Sequence, residues 1–173
     1  MQNQAADLNQ MLSSLLIETY SDNLSFEKLF KRLSSIAFTN ELSASLSPDR
    51  NELNQQAGRL QTIITELKIR PVKTTAEVGE AYIKVGRAMY SAKKKPTLQQ
   101  DVNILTLVKD ITYRRLAQTN TLESMARVLG MESFVMLLEQ SGLECRNAAA
   151  YLGQIENNIL YPAFLTSESK STT

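Results

Sequence analysis

An all-α fold, a four-helix bundle with one long crossover connection, is predicted by three observations on the sequence. Apolar residues recur at spacings of three and four along most of the chain, which is the period of an amphipathic helix. Long runs of alternating polar and apolar residues, which would indicate strands, are absent, and the 173 residues include only six glycines and four prolines. The connection between the second and third long helices is long enough for the one crossover that such a bundle needs.

The first long helix is predicted over residues 5–38, because leucine and phenylalanine continue one apolar stripe through this stretch. The polar residues Ser21-Asp22-Asn23 are expected to loosen the helix at its middle. The break after the helix is predicted at Thr39-Asn40-Glu41, a stretch that contains residues typical of caps and turns.

The second long helix is predicted to start at Ser47-Pro48-Asp49, where a capping serine precedes proline at the first helical position. It is expected to end before Pro71, because the residue before a proline disfavours the helical conformation. Its inward-facing residues are expected to be Leu53, Ala57, Leu60, Ile63, Ile64 and Leu67.

A short helix and the third long helix each follow a capping signature. Thr74 and Glu77 have the spacing of a capping box before the short helix, and Thr97 and Gln100 repeat it before the long one. The segment SAKKKP, residues 91–96, is predicted to be a solvated loop between the two helices.

The last third of the chain is predicted to hold a second short helix and the fourth long helix. TLESMARVLG, residues 121–130, is interpreted as a separate short helix closed by Gly130. The fourth long helix is predicted over roughly residues 132–159, and Pro162 is expected to end it. Residues 166–173 form a polar tail that is expected to be frayed.

Composition indicates one soluble domain over residues 1–173, with about residues 5–160 structured. Hydrophobic residues make up 43% of the chain and charged residues 21%, which is ordinary for a globular protein. No signal peptide and no run of about 20 apolar residues is found, so no membrane segment is expected. The single cysteine, Cys145, cannot form an intrachain disulfide, and a cytoplasmic location is the expectation.

Charge and residue content disfavour several classes of function. The 19 basic and 18 acidic residues give a net charge of +1, so no strong electric field would gather nucleic acid or anionic lipid. The chain contains no histidine. The usual general base, the usual zinc ligand and every Glu-x-x-His di-iron motif are therefore excluded.

The order of the helices and three local strings resemble the YciF-like group of bacterial ferritin-like proteins, which is associated with stress. SDNLSFEKLFKRL is similar to the family's first helix, TLESMARVLG to its short helix ending in Leu-Gly, and MLLEQSGLEC to its final helix. The resemblance covers roughly residues 10–160. It implies a ferritin-like four-helix bundle with short additional helices in the middle connection and a dinuclear metal site of carboxylates and histidines inside it.

Carried over residue by residue, the family's metal ligands are mostly replaced in this chain. The first-helix glutamate matches Glu27. The second-helix pattern His-Leu-Glu-Glu falls on Glu52-Leu53-Asn54-Gln55, so one histidine becomes an acid and both carboxylates become amides. The third-helix pattern Glu-His-x-Glu falls on Thr112-Tyr113-Arg114-Arg115, so both acids are lost and a cation replaces one of them.

In the final helix, a glutamate and an aspartate four residues apart fall on Cys145 and Ala149, and the neighbouring Glu144 could compensate only if the helix were rotated. The vestigial metal positions implied by the resemblance are Glu27, Glu52, Gln55, Thr112, Arg115 and Cys145. No bound metal is expected at them. Cys145 is interpreted as a small buried hydrophobic residue without an activated thiol.

Arg115 shares one helix face with Thr112 and Thr119, beside apolar residues, and a buried guanidinium requires a partner. We expect Arg115 to lie inside the bundle within hydrogen-bonding reach of Glu27 or Glu52, as a fixed charge in place of the lost cation. In the alternative interpretation its side chain extends to the surface.

Two functions are compatible with these observations. The favoured hypothesis is a non-catalytic bundle with a degenerate metal site, without a cofactor, with a structural or interaction role that is associated with stress. The alternative is a protein that binds iron or manganese in an altered site built from Glu27, Glu52, Glu144 and amides, and that oxidises the metal or handles peroxide.

A homodimer is expected from the resemblance, and no other protein partner is indicated. Outward-facing Tyr20, Phe26 or Tyr82 would supply a modest apolar contact patch.

Overall fold

Helices make up every regular element of the computed structural model, which describes residues 2–70, 76–92 and 95–168. The all-α class predicted from the sequence is therefore confirmed. The elements are α1 Gln2–Ser34, α2 Asn40–Ser45, α3 Leu53–Glu66, α4 Glu77–Ser91, α5 Leu98–Val128, α6 Glu132–Ile155, a π-helical turn at Glu156–Leu160 and α7 Tyr161–Glu168. None of the helices in these ranges has the length and apolar character needed to cross a bilayer.

Four helices, α1, α3, α5 and α6, enclose two apolar clusters, one at each end of the bundle. The first cluster joins the early part of α1 to the ends of α3 and α5 and the start of α6. Its buried members are Leu12, Leu16, Leu60, Ile63, Ile64, Leu122, Ala126, Phe134, Val135 and Leu138. The second cluster joins the late part of α1 to the starts of α3 and α5 and the end of α6. Among its members are Phe26, Leu29, Phe30, Leu33, Leu53, Ile104, Leu105, Val108, Ile111, Leu152 and Ile155.

These pairings determine the direction of each helix. Helices α1 and α6 run one way along the bundle, and α3 and α5 run the other way. Because α3 and α5 are parallel, the chain between them must return along the full length of the bundle, and α4 lies in this connection. The predicted ferritin-like bundle with one crossover is confirmed.

Helix α5 begins and ends as capping rules predict, but it is longer than expected. The Thr97 hydroxyl accepts a hydrogen bond of 3.1 Å from the Gln100 backbone N–H. Gly130 adopts the left-handed conformation, with φ of 70°, two residues after the last residue of the helix. The prediction of a separate short helix over residues 121–130 is wrong, because buried Leu122 and Ala126 continue the inward face of α5 without a break.

The end of α1 differs from the prediction because a buried carboxylate stabilises a turn there. The helix ends at Ser34 rather than at residue 38. Asp101 of α5 accepts hydrogen bonds from the backbone N–H groups of Phe38 and Thr39, at 2.7 and 2.8 Å, and from the Thr39 hydroxyl. The expected loosening at Ser21-Asp22-Asn23 is also wrong, since α1 is continuous through it.

The predicted start of the second long helix at Ser47-Pro48-Asp49 is wrong, since α3 begins at Leu53. The buried side chain of Asn51 explains the shift, because its Oδ1 accepts from the Leu53 N–H at 3.1 Å and its Nδ2 donates to a backbone carbonyl before it. The intervening Glu52 has a positive φ of 54°. The Ser47 hydroxyl instead donates to a carbonyl at the end of α2.

Pro162 does not end the last helical segment as predicted. Helix α6 passes at Ile155 into the π-helical turn, and α7 continues through the proline to Glu168. In a regular α-helix a proline ring clashes with the carbonyl four residues before it. Here the preceding turn is wider, since the Tyr161 N–H bonds to the Glu156 carbonyl, five residues back. This wider turn leaves space for the ring of Pro162. Residues 166–168 of the predicted tail are helical, and residues 169–173 lie outside the described residues.

Helix α4 packs on α1 through two buried glycines, Gly79 and Gly86, which lie seven residues apart on one face. Between them, the ring of Tyr82 makes an edge contact with Phe26, with centroids 6.5 Å apart. The prediction that Phe26 faces outward is therefore wrong, since it is fully buried under α4. Thr74, the predicted cap of this helix, lies outside the described residues, and α4 begins at Glu77.

Replacing Gly86 by alanine is expected to lower the free energy of unfolding by about 1–2 kcal/mol, since overpacking outweighs the gain in helix propensity. A Cβ atom there would lie 2.5 Å from Leu29 Cδ1 and 3.2 Å from Leu107 Cδ2, and both leucines are buried. The matched control is Gly58→Ala in α3, where an added Cβ would meet no atom within 4 Å beyond the adjacent residues and the local helix backbone, and a gain of about 0.5–1 kcal/mol is expected. Urea denaturation measures both, and equal stabilisation by the two changes would contradict this packing.

Candidate functional site

A layer of buried polar side chains separates the two apolar clusters at the middle of the bundle. Every one of the four bundle helices contributes to it between its two apolar segments. Its members are Thr19, Asp22 and Asn23 of α1, Gln56 of α3, Thr112, Arg115, Gln118 and Thr119 of α5, and Ser141 and Glu144 of α6. Because a buried polar group without a partner is costly, the hydrogen bonds of this layer decide what it can do.

Arg115 lies inside this layer with 2% of its surface exposed, so the prediction that it is buried is confirmed and the surface alternative is wrong. It follows Ile111 and Thr112 on the inward face of α5, which directs its side chain into the bundle. Burial lowers the pKa of the guanidinium, because the charged form is deprived of water.

The predicted acidic partners of Arg115 are wrong. Its Nη2 donates instead to the side-chain carbonyl of Gln56, and among the described residues no carboxylate lies within ion-pairing distance of it. Its Nε is buried and has no hydrogen-bond acceptor. Glu144 and Glu52 attract the charge only at longer range. Arg115 is therefore a buried cation with an amide as its direct partner.

Glu144 is the acid at the centre of the layer, and it is held by a different arginine. Arg59 of α3 donates to both of its oxygens, at 2.8 Å to Oε2 and by a second, shorter bond to Oε1. Gln56 Nε2 donates to Oε2 at 3.1 Å, and Gln140 Nε2 donates to Oε1 at 2.9 Å. Arg59 also bonds the Ser141 hydroxyl at 3.0 Å. The carboxylate thus accepts four hydrogen bonds from three side chains.

These contacts determine the ionisation of Glu144. Burial by itself raises the pKa of this carboxyl, but the hydrogen bonds from Arg59, Gln140 and Gln56 outweigh burial, and the pKa lies below its ordinary value. The group is therefore an ionised carboxylate near neutral pH.

Gln56 joins the two charged groups of the layer. Its carbonyl oxygen accepts from Arg115 and its amide nitrogen donates to Glu144, so one amide bridges the cation and the anion. The Cys145 thiol lies 3.6 Å from the same carbonyl oxygen. Burial raises the pKa of Cys145, as expected of a buried cysteine that is not an activated nucleophile.

A second polar network on the other side of α5 joins it to α1. Arg114 Nη2 donates to Glu18 at 2.8 Å and to Asp22 at 3.4 Å, and Gln118 donates to Glu18 at 3.0 Å. Asp22 is fully buried, and burial raises the pKa of its carboxyl despite the nearby arginine. Its Oδ1 has no hydrogen-bond partner.

Of the six vestigial ligand positions implied by the resemblance, four lie around one cavity and two do not. Glu52, Gln55, Thr112 and Arg115 line one cavity of about 380 Å³. Glu27 and Cys145 do not line it, and Glu27 takes no part in the polar contacts around Arg115. Among the residues that the structure describes, no group of three or more acidic, cysteine or histidine side chains could hold a metal ion.

Sequence reasoning missed Gln56 and Arg59, which make most of the hydrogen bonds to Glu144 and Arg115. Gln56 lies on the apolar stripe of α3, at helical spacing from Leu53, Ala57 and Leu60, and all four are buried. A polar residue on an apolar stripe is the signal that could have identified it.

Comparisons with known proteins agree with this architecture. Residues 7–161 match the family model described as "Domain of unknown function (DUF892)", and no curated protein sequence matches the chain. The structure is similar to that of the E. coli stress protein YciF, with a TM-score of 0.78 and 17% sequence identity, covering 86% of this chain and 93% of that one. It is also similar to YcfI of Rhodopseudomonas palustris, a protein proposed to be structural, with a TM-score of 0.76 and 20% identity, covering 84% and 92% of the two chains.

Proposed function

The chain belongs to the DUF892 family and is a YciF-like protein, and from this premise we propose that it is a non-catalytic helical bundle protein with a structural or interaction role. In this proposal the dinuclear metal site of the YciF-like group is degenerate here, and the buried polar layer occupies its place. The protein has no cofactor and acts in the cytoplasm, in a setting associated with stress. The description of YciF as a stress protein supports that setting.

The observation that carries this proposal is the buried position of Arg115. A guanidinium at the level where a metal-binding acid is expected supplies a fixed positive charge and repels a cation. Arg59 brings a second guanidinium to the same layer, from a neighbouring helix. Two arginines beside one buried acid form a poor environment for a dinuclear cation site.

The state of Glu144 supports the same conclusion. A dinuclear site needs several carboxylates with free oxygens directed at the metals. Both oxygens of Glu144 already accept hydrogen bonds, and Glu52 is the other acid that acts on Arg115 from nearby. Binding a metal through Glu144 would first require breaking its pair with Arg59.

Elemental analysis tests the proposal directly. Purified protein is expected to contain only substoichiometric iron, manganese or zinc, both as isolated and after incubation with Fe(II) or Mn(II). The reason is that the guanidinium groups of Arg115 and Arg59 repel cations from the layer. The matched control is the triple variant Gln55→Glu, Thr112→Glu and Arg115→Glu, which restores acids at three of the vestigial positions. Two metal ions per chain in the unaltered protein, as a dinuclear site requires, would overturn the proposal and favour the iron or manganese alternative.

The proposal includes a homodimer in solution. Phe26 is buried and cannot contribute to the contact patch predicted from the sequence. Met136 and Leu143 are exposed instead, and they lie seven residues apart on one face of α6. Light scattering is expected to give twice the monomer mass of 19.4 kDa. Changing both residues to glutamate should yield monomers, and a monomeric unaltered protein at high concentration would contradict the dimer.

A further inference from the structure

A cavity of about 380 Å³ lies beside Arg115, between the α2–α3 connection, the middle of α5 and the last part of α6. This volume falls within the range of roughly 300–1,000 Å³ that is typical of small-molecule sites. Its apolar lining consists of Phe30, Leu46, Val108, Ala148, Tyr151 and Leu152, and its polar lining includes Asn51, Glu52, Gln55, Thr112 and Arg115. The cavity therefore combines an apolar wall with a few polar groups, as ligand sites commonly do.

Arg115 is the buried polar residue of this lining that keeps an unsatisfied hydrogen-bond donor. Its side chain is almost fully buried, its Nη2 bonds one neutral amide oxygen, and its Nε has no acceptor. No described carboxylate forms an ion pair with it. This buried cation has no directly bonded counter-charge, and its Nε has no acceptor. A ligand anion would supply both at once.

We propose that this cavity binds a small organic monocarboxylate with an apolar body. The ligand carboxylate accepts hydrogen bonds from the Arg115 guanidinium, and its apolar body lies against Phe30, Val108 and Leu152. A planar guanidinium matches the two oxygens of a carboxylate. The inference goes beyond the structural role proposed above and does not depend on it.

The charge of the cavity favours one negative charge on the ligand over two. Asp49 and Arg50 also line the cavity, but they are exposed and opposite in charge. Of the remaining lining, a dianion such as phosphate would meet one cation, Arg115, and one acid, Glu52. A monocarboxylate gains the attraction of Arg115 and is only partly opposed by Glu52. Because the charge of Glu52 opposes the ligand carboxylate, Glu52→Gln should increase the affinity for the monocarboxylate.

Isothermal titration of the full chain with hexanoate tests the proposal, with hexanamide as the uncharged probe of the same shape and acetate as the probe without an apolar body. Hexanoate is expected to bind saturably, acetate more weakly and hexanamide not measurably. Arg115→Met should weaken hexanoate binding at least tenfold, which corresponds to about 1.4 kcal/mol. Arg146→Met is the matched control, because it removes the same charge from an exposed position of α6 that does not line the cavity.

A second variant keeps the test decisive if Arg115→Met does not fold. Ala148→Phe places a ring on the cavity wall without changing any charge, and it should abolish hexanoate binding while leaving the helical circular dichroism spectrum unchanged. Any of three results would overturn the proposal: equal binding of hexanoate and hexanamide, full affinity in folded Arg115→Met or Ala148→Phe, or no carboxylate binding at millimolar concentration. Tighter binding of phosphate than of hexanoate would overturn the assignment to monocarboxylates.

Discussion

Replacing Glu144 by glutamine is expected to lower the free energy of unfolding by about 3 kcal/mol, at the lower end of the cost of breaking a buried ion pair. The change removes the negative charge that Arg59 bonds through two nitrogen atoms and leaves Arg115 without its main long-range counter-charge. The lower end applies because Arg59 is one-fifth exposed and can turn towards water. Urea denaturation followed by circular dichroism measures the loss.

The exposed pair between Glu139 and Arg127 supplies the control for this prediction. Glu139→Gln removes the same charge from the same helix, but both side chains of that pair are about half exposed, and a change below about 0.5 kcal/mol is expected. A Glu144→Gln variant no less stable than Glu139→Gln would show that the layer is solvated.

The stability that the protein loses on Glu144→Gln substitution should become smaller as the pH falls. The folded-state pKa of Glu144 lies below its ordinary value of 4.5, so its contribution to stability is present above that value and is lost as pH falls through the folded-state pKa. The stability difference between the two proteins is therefore expected to be constant near neutral pH and to shrink below pH 4.5. A difference that grows on acidification would contradict the assignment of the charge.

Arg115→Met is expected to restore about 2 kcal/mol of stability when it is introduced into the Glu144→Gln variant, because it removes a buried charge that has lost Glu144 and keeps only the long-range attraction of Glu52. In the unaltered protein the same substitution should change stability by less than about 1 kcal/mol, since the cost of burying the guanidinium and its long-range attraction to Glu144 nearly offset each other. Methionine fills a comparable volume, and the Gln56 carbonyl loses one donor but keeps the Cys145 thiol, 3.6 Å away.

The two effects together form a double-mutant cycle, and its coupling energy is the decisive quantity. Additive effects of Glu144→Gln and Arg115→Met would mean that the two charges do not interact through the layer. Lys109→Met, which removes a partly exposed cation of α5 that pairs with Glu156, should show no coupling to Glu144→Gln.

The sequence was sufficient to predict the fold because the relevant signals are local and repeated. The apolar stripe of α3, from Leu53 to Ile64, and the cap at Thr97 each specify helix without reference to the rest of the chain. The errors arose where a distant contact decides the conformation. The turn after α1 depends on Asp101, which lies more than sixty residues away along the chain. The passage through Pro162 is favoured because Leu160, just before it, is fully buried against the second apolar cluster.

The candidate site was predictable to a lesser degree. Helical spacing correctly placed Arg115 inside the bundle, because burial follows from the face of the helix alone. Its partner was not predictable in the same way, since neighbouring positions on α3 differ in direction by about 100°. The expected partners were Glu27 or Glu52, and the resemblance placed a vestigial ligand at Gln55. The neighbouring Gln56 lies on the buried stripe and bonds the arginine.

The polar layer also constrains how the helices can be aligned along the bundle axis. Two leucine-rich clusters would pack almost as well if α6 slid past α3 by one turn, about 5.4 Å, because one apolar side chain replaces another at little cost. The same slip would carry Glu144 away from Arg59 and into contact with leucines, and Gln56 would lose its contact with the acid. A single band of hydrogen-bonded polar side chains thus distinguishes one axial register from its neighbours, in the way that one buried polar residue fixes the pairing of a coiled coil.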